Sequence, residues 1–153
     1  TRDNAYQFNY INFDSGIVPV EPKKEQWDIA FTVFTNTTAL GGPGSAQIPY
    51  VFLDIVLQNR YKVETTEVLN STIAYENFGE ANLSGLAFGT SQVNIGSKWR
   101  TGGGASGGPA LRTDRFYVIK DAGGNVYKLR FTALSQNGER GRPQIEFALV
   151  KKG

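Results

Sequence analysis

The sequence contains no cysteine, no histidine and no methionine among its 153 residues. Without Cys the chain cannot form a disulfide, and without His or Cys it lacks the usual base and nucleophile of serine and cysteine hydrolases. The same absence removes the ligands that zinc and copper prefer. An Asp-rich loop with the spacing of a calcium site is also missing. These absences favour a binding protein over an enzyme, and we expect neither a catalytic residue nor a metal site.

Charge of one sign and long apolar runs are scarce as well. The chain has 16 basic and 14 acidic residues, a net charge of +2, which is too small and too evenly spread to predict a nucleic-acid partner. The longest apolar run, residues 50–57, is interrupted by Asp54 and is too short to cross a bilayer. The missing Met predicts a processed chain. We therefore expect an exported protein, with a domain excised from a cytosolic protein as the alternative.

The residues that are present are typical of strands joined by tight turns. Eighteen Gly and many aromatic residues accompany few helix-forming runs, and the length fits a single domain over 1–153. Residues 35–49, which include Gly-Gly-Pro-Gly, are predicted as a loop, and a short helical turn is one option within 72–80. Alternation of apolar and polar residues predicts strands at 6–11 and 27–34. The apolar run predicts a buried strand at 50–57, and the Thr and Val residues predict an extended segment at 61–68.

The C-terminal third has the clearest pattern. It predicts strands at 115–120, 126–134 and 144–150, joined by short turns that allow only antiparallel neighbours. The fold class is therefore predicted to be all-β, with antiparallel sheets in a sandwich or half-barrel. The glycine-rich stretch 102–109 predicts a flexible loop at the rim of a binding site.

Three segments resemble the HmuY family. Residues 114–131 contain an Asp, a hydrophobic strand, a D-x-x-G turn and then Tyr-Lys-Leu, and they are similar to one segment of that family. Trp-Asp-Ile-Ala-Phe at 27–31 resembles a Trp-Asp-hydrophobic-Ala-Phe segment in the family's N-terminal half. Residues 138–147 are similar to its last turn and strand. The resemblance covers the first third and the last third of the chain.

This resemblance implies a fold, a location and partners. HmuY-like proteins are all-β lipoproteins of Bacteroidetes, exported to the outer-membrane surface or released, and they capture haem and pass it toward an outer-membrane transporter. A small-molecule ligand and an outer-membrane receptor are the implied partners. Contact with the membrane would run only through a lipid anchor that is absent from this chain.

The chain departs from the family at the iron ligands. Family members hold haem iron with His or Met, and this sequence has neither. A Tyr phenolate can also ligate haem iron. Tyr50, Tyr61, Tyr75 and Tyr117 are the candidates by position, and Tyr75 is the most loop-like of them. Packing or capping is the alternative interpretation of each.

Haem held without an axial ligand would need aromatic faces and cations. Trp99 could contact the macrocycle, and Arg100 or Arg112, which flank the glycine-rich stretch, could pair with propionates. Ordinary surface solubility is the alternative interpretation of the two arginines. The predicted ligand-binding residues are thus Tyr75, Trp99, Arg100 and Arg112. The cofactor stays open, with haem as the one that the resemblance implies.

Three functions follow from the sequence. The first is capture of haem or another tetrapyrrole, and the second is a binding module for a peptide, glycan or protein partner. The third and last is a carboxylate-based glycoside hydrolase. A closed apolar pocket with aromatic walls would favour the first function, and a shallow groove or flat apolar patch the second. The carboxylates that lie in predicted strands are Asp28, Asp54, Glu64, Glu67 and Glu146.

Overall fold

A computed structural model describes residues 3–39, 44–102, 108–139 and 141–153. Most of the predicted flexible loop at 102–109 therefore lies outside the described residues. Two short 3₁₀ turns cover Tyr75–Asn77 and Glu80–Leu83. The strands are β1 (Tyr10–Asn12), β2 (Gly16–Val18), β3 (Ile29–Ala39), β4 (Gln47–Gln58), β5 (Glu64–Leu69), β6 (Arg115–Lys120), β7 (Val126–Ala133) and β8 (Gln144–Lys151).

The strands form three antiparallel units. A four-stranded sheet has the order β5-β6-β7-β8, β3 pairs with β4 in a long hairpin, and β1 pairs with β2 in a short one. The all-β class and the C-terminal meander β6-β7-β8 are thereby confirmed. The helical turn considered within residues 72–80 is the 3₁₀ turn at Tyr75–Asn77. No helix among the described residues is long and apolar enough to span a membrane.

The prediction of a loop over residues 35–49 is wrong at both ends. β3 continues to Ala39 and β4 already starts at Gln47, and the two strands are paired out to those residues. The Thr residues that follow Phe34 are β-branched and fit a pleated strand, and their pairing with β4 outweighs the breakers in the middle of the segment. The centre of the segment, residues 40–43, lies outside the described residues.

The strand predicted at 6–11 is wrong over its first residues, because β1 starts at Tyr10. The preceding segment is held by local side-chain bonds. The backbone N–H groups of Asp3 and Ala5 donate to the side-chain oxygens of Asn9 and Asp3, respectively, both at 2.9 Å. Such bonds from Asn and Asp side chains offer the backbone an alternative to a strand ladder.

The four-stranded sheet carries a buried cluster on each of its faces. In β6, Phe116 and Val118 point to one face while Tyr117 and Ile119 point to the other, so the strand is an unbroken apolar run, as in strands covered on both sides. We call the first the turn face, because it packs against the segment that contains the 3₁₀ turns. It holds Val68, Tyr75, Phe78, Phe116, Val118 and Val126.

The opposite face, here called the hairpin face, packs against the base of the β3-β4 hairpin and the segment after it. Val56 of β4 exchanges two backbone hydrogen bonds of 3.0 Å with Gly96, which ties the hairpin base to that segment. The outer half of β4 is exposed, whereas its last five residues are buried. The buried residues of this face are Val56, Val63, Ile95, Trp99, Tyr117, Ile119, Leu129 and Phe131.

Candidate functional site

A cleft opens where β6 and β7 separate. Pairing between the two strands ends at Tyr117 and Leu129, although β6 begins at Arg115 and β7 continues to Ala133. The cavity has a volume of about 250 Å³. We call it the Tyr75 cleft, and its lining residues are Asn70, Tyr75, Leu111, Thr113, Arg115, Arg130, Phe131 and Thr132.

Tyr75 is held firmly in the wall of this cleft. The residue is only 4% exposed, and its ring packs edge-on against Phe116, with 5.5 Å between ring centroids. The ammonium of Lys128 lies 4.7 Å from the Tyr75 ring centroid and donates to the backbone oxygens of Tyr75 and Phe78 at 2.7 and 2.9 Å. These contacts fix both the 3₁₀ turn and the ring.

The Tyr75 hydroxyl is buried and has no hydrogen-bond partner among the described residues. Its burial raises the pKa of Tyr75, and the charges of Glu146 and Glu76 act in the same direction, while Arg130 lowers it. The phenol is therefore neutral at physiological pH. In that form it can both donate and accept one hydrogen bond from a bound molecule.

Two arginines of the cleft are neutralised by ion pairs. Arg115 contacts Glu67 and Arg130 contacts Glu146, each at 2.9 Å between nitrogen and oxygen. Each pair joins neighbouring strands, β6 with β5 and β7 with β8, and offsets the positive charge of its arginine.

Of the four predicted ligand-binding residues, Tyr75 alone lines this cleft, and the other three lie next to its lining residues Phe131 and Leu111. Trp99 is fully buried and stacks on Phe131, with ring centroids 4.6 Å apart and planes 21° from parallel. The backbone N–H of Arg112 donates to the Trp99 oxygen at 3.0 Å, and Arg100 forms a β-bridge with Leu111. Trp99, Arg100 and Arg112 are thus neighbours of one another near Leu111, whereas Tyr75 packs on the turn face.

Their side chains differ in how free they are to bind. Arg100 is 8% exposed, forms a buried ion pair with Asp54 and donates to the Thr101 oxygen at 3.2 Å. Removing one member of a buried ion pair leaves the other uncompensated, so Arg100 already has a structural role. Arg112 is half-buried and its Nε has no hydrogen-bond partner among the described residues. The ligand-binding role of all four residues stays a prediction.

The remaining tyrosines are placed differently. Tyr117 is buried on the hairpin face, and burial, followed by the charge of Glu67, raises its pKa. Tyr50 is exposed on the hairpin. The Tyr61 hydroxyl donates to the Glu25 carboxylate at 3.0 Å.

Haem iron does not fit this set of side chains. The sequence has no His or Met, and the phenolate that would ligate iron is disfavoured at both buried tyrosines, Tyr75 and Tyr117, because their pKa values are raised. A bond between iron and either buried tyrosine is therefore disfavoured.

The carboxylates considered for glycoside hydrolysis are mostly paired with basic residues. Among the described residues, no group of three or more His, Cys, Asp or Glu is arranged to hold a metal. Asp28 alone of the five carboxylates is placed in a second concave surface. The four paired carboxylates are Asp54 with Arg100, Glu64 with Lys120, Glu67 with Arg115 and Glu146 with Arg130.

The second concave surface was not predicted. It is an open, mainly apolar groove of about 280 Å³, here called the Asp28 groove. The alternation of apolar residues in β7 and β8 was a signal for this groove, because the alternation places more apolar side chains on one face of the sheet than the hairpin covers. All of its lining residues fall in the three segments 27–31, 114–131 and 138–147. They are Asp28, Ile29, Ile119, Tyr127, Leu129, Ile145 and Phe147.

Comparison with known proteins gives one match. The family model described as HmuY protein matches residues 4–147. Searches of curated proteins and of solved structures found no match.

Proposed function

The chain belongs to the HmuY family, a family of haem-binding-type surface proteins, and we propose that it is an exported binding protein whose ligand is not held through haem iron. The observation that carries this proposal is the neutral, buried and unpartnered hydroxyl of Tyr75 in the wall of the cleft. A group of this kind suits a hydrogen bond to a bound molecule and does not suit iron.

The size of the Tyr75 cleft supports the same conclusion. At about 250 Å³ it lies below the range of about 300–1,000 Å³ that is usual for sites of drug-sized ligands. A tetrapyrrole is larger than such a cleft can enclose. A small ligand with one polar atom would satisfy the Tyr75 hydroxyl while its apolar part contacts Leu111 and Phe131.

The rest of the proposal rests on the family. We expect export to the cell surface through a lipid anchor outside this chain, transfer of the ligand to an outer-membrane receptor, and no catalytic activity. Capture of haem or another tetrapyrrole is the competing function, because it is the one that the family name favours.

A haemin titration of the purified protein separates the two functions. Absorbance is followed in the Soret region under oxidising and reducing conditions, with metal-free protoporphyrin IX as a second probe and an unrelated protein of similar size as the control. We expect no saturable shift beyond that of the control with either probe.

Two results would contradict the proposal. A saturable one-to-one Soret shift that is lost in Tyr75→Phe would make Tyr75 an iron ligand. A one-to-one shift that is equal in the wild type and Tyr75→Phe, and that is shared by metal-free protoporphyrin, would show a tetrapyrrole held by contacts alone, against the inference that the ligand is a smaller molecule.

A further inference from the structure

The Asp28 groove lies between the start of β3 and the edge strand β8. Its floor is formed by the buried side chains of Ile119 and Leu129, and its sides by Ile29 of β3 and Phe147 of β8. The groove is apolar apart from Asp28 and the hydroxyl of Tyr127. It is separate from the Tyr75 cleft and shares no lining residue with it.

The groove stays open because the hairpin does not reach across β8. Phe147 and Leu149 lie opposite Leu129 and Tyr127 in the β7-β8 register, so they belong to the hairpin face. They are nevertheless 64% and 55% exposed. Adjacent apolar side chains exposed beside a concave surface are typical of a ligand site.

Asp28 is fixed at one side of this groove. The buried Asn59 holds the backbone here. Its backbone N–H donates to the backbone oxygen of Asp28 at 2.7 Å, and its side-chain Nδ2 donates to the backbone oxygens of Trp27 and Lys24 at 2.6 and 2.7 Å. The Asp28 carboxylate itself makes no hydrogen bond or ion pair with the described residues. It is half-buried, and no Lys or Arg lines the groove.

A second carboxylate, that of Asp121, acts on Asp28. Burial raises the pKa of Asp28, and the nearby charge of Asp121, in the turn after β6, raises it further. Tyr127 is the only other titratable group in the lining. A half-buried carboxylate without a partner is unfavourable, and a cation placed in the groove would compensate both the lost hydration and the repulsion from Asp121.

We propose that the Asp28 groove binds a small amphipathic amine, with its ammonium group on the Asp28 carboxylate and its hydrocarbon part against Ile29, Leu129 and Phe147. The apolar floor selects a hydrocarbon body, and the unpaired carboxylate selects a positive charge. A free anion is disfavoured by Asp28 and Asp121 together. The volume of about 280 Å³ suits one small molecule.

Three probes of equal length test the charge preference. We would titrate ¹⁵N-labelled protein at pH 7 with n-octylamine, n-octanol and n-octanoate below their aggregation concentrations, and follow amide chemical shifts around the groove. We expect n-octylamine to bind about 10- to 100-fold more tightly than n-octanol, the range given by a hydrogen bond to a charged group, and n-octanoate to bind most weakly.

Asp28→Asn is the decisive variant, because it keeps the shape of the side chain and removes its charge. It should bring the affinity for n-octylamine down to that for n-octanol and leave n-octanol binding unchanged. Phe147→Ser should weaken all three probes. Tyr75→Phe should alter none of them, so the result is independent of the outcome of the haemin titration.

Several results would overturn the proposal. These are the absence of binding by all three probes, equal binding of n-octylamine and n-octanol to the wild type, and an amine preference that survives in folded Asp28→Asn. An acetylated Lys-Phe amide that binds more tightly than n-octylamine would overturn the assignment to a small molecule, because it would indicate a peptide side chain as the natural occupant. Circular dichroism checks the fold of each variant.

Discussion

The two faces of the four-stranded sheet are covered to different extents. On the turn face, the segment with the 3₁₀ turns packs over Phe116 and Val118, which are fully buried. On the hairpin face, the β3-β4 hairpin covers Tyr117 and Ile119 but leaves Phe147 and Leu149 of β8 exposed, at 64% and 55%. One sheet thus has a complete core on one side and an incomplete one on the other.

The difference explains why each concave surface has its own chemistry. The Tyr75 cleft forms where two strands part, and among its polar lining residues Tyr75 is the buried one. The Asp28 groove forms where the cover ends, so its walls are apolar and open. A buried hydroxyl selects a hydrogen-bonding atom, whereas an open apolar groove with one carboxylate selects an amphipathic cation.

The largest expected difference between the two faces is in the stability of the variants Phe116→Ala and Phe147→Ala. Both change Phe to Ala in the same sheet, but Phe116 is fully buried and Phe147 is mostly exposed. We expect Phe116→Ala to lower the free energy of unfolding by about 3–5 kcal/mol and Phe147→Ala to change it by less than about 0.5 kcal/mol. Urea unfolding followed by Trp fluorescence measures both.

A comparable loss in the two variants would break the comparison. It would mean that Phe147 is covered in the folded protein, by a second copy of the chain or by another segment. Repeating the measurement at several protein concentrations separates these cases, because only self-association makes the unfolding midpoint depend on concentration.

A smaller effect is expected from the two buried hydroxyls, one on each face. Tyr75 and Tyr117 are 4% and 1% exposed, and neither hydroxyl has a hydrogen-bond partner among the described residues. An unsatisfied buried polar group costs about 1–3 kcal/mol, so Tyr75→Phe and Tyr117→Phe should each raise the free energy of unfolding by up to that amount. Thermal and urea unfolding of the ligand-free protein measure the gain.

The pair also sharpens the functional argument. If the Tyr75 hydroxyl is kept for a ligand, Tyr75→Phe should stabilise the free protein and weaken ligand binding, while Tyr117→Phe should only stabilise it. Destabilisation by Tyr75→Phe would show that the hydroxyl has a partner in solution, and the proposal for the cleft would lose its main support.

Strand patterns were predictable where local preference and tertiary pairing agree. In β7 and β8 the alternation of apolar residues predicted both the strands and the face that their apolar side chains share, because successive side chains of a strand point to opposite faces of the sheet. In β3 the agreement failed. Glycines near its end favoured a loop, but pairing with β4 carries the strand to Ala39, and that energy cannot be read from either strand alone.

The site was less predictable than the fold. Tyr75, Trp99, Arg100 and Arg112 were singled out by position and residue type, and of these Tyr75 lines the cleft. The ion pair between Arg100 and Asp54 joins residues 46 positions apart, which no local pattern indicates. The Asp28 groove, which was not predicted, depends on how far the hairpin extends across the sheet. No local sequence pattern indicates that distance.

The smallest effect concerns the pH dependence of stability at Asp28. Its pKa is raised in the folded protein by burial and by Asp121, so the native state holds its proton to higher pH than the unfolded chain does. Stability contributed by this group is therefore present below the ordinary pKa of Asp, about 3.9, and is lost as pH rises through the raised value. Asp28→Asn should remove this loss.

Asp114 supplies a control of opposite sign. Its pKa is lowered, mainly by the hydrogen bond from Arg115, so its contribution is present at neutral pH and is lost as pH falls through the lowered value. Urea unfolding between pH 3 and pH 7 should show Asp28→Asn gaining on the wild type as pH rises, and Asp114→Asn falling behind it. If Asp28→Asn instead loses ground toward pH 7, a cation already faces Asp28 in the free protein, and the groove would have no unpaired charge to offer an amine.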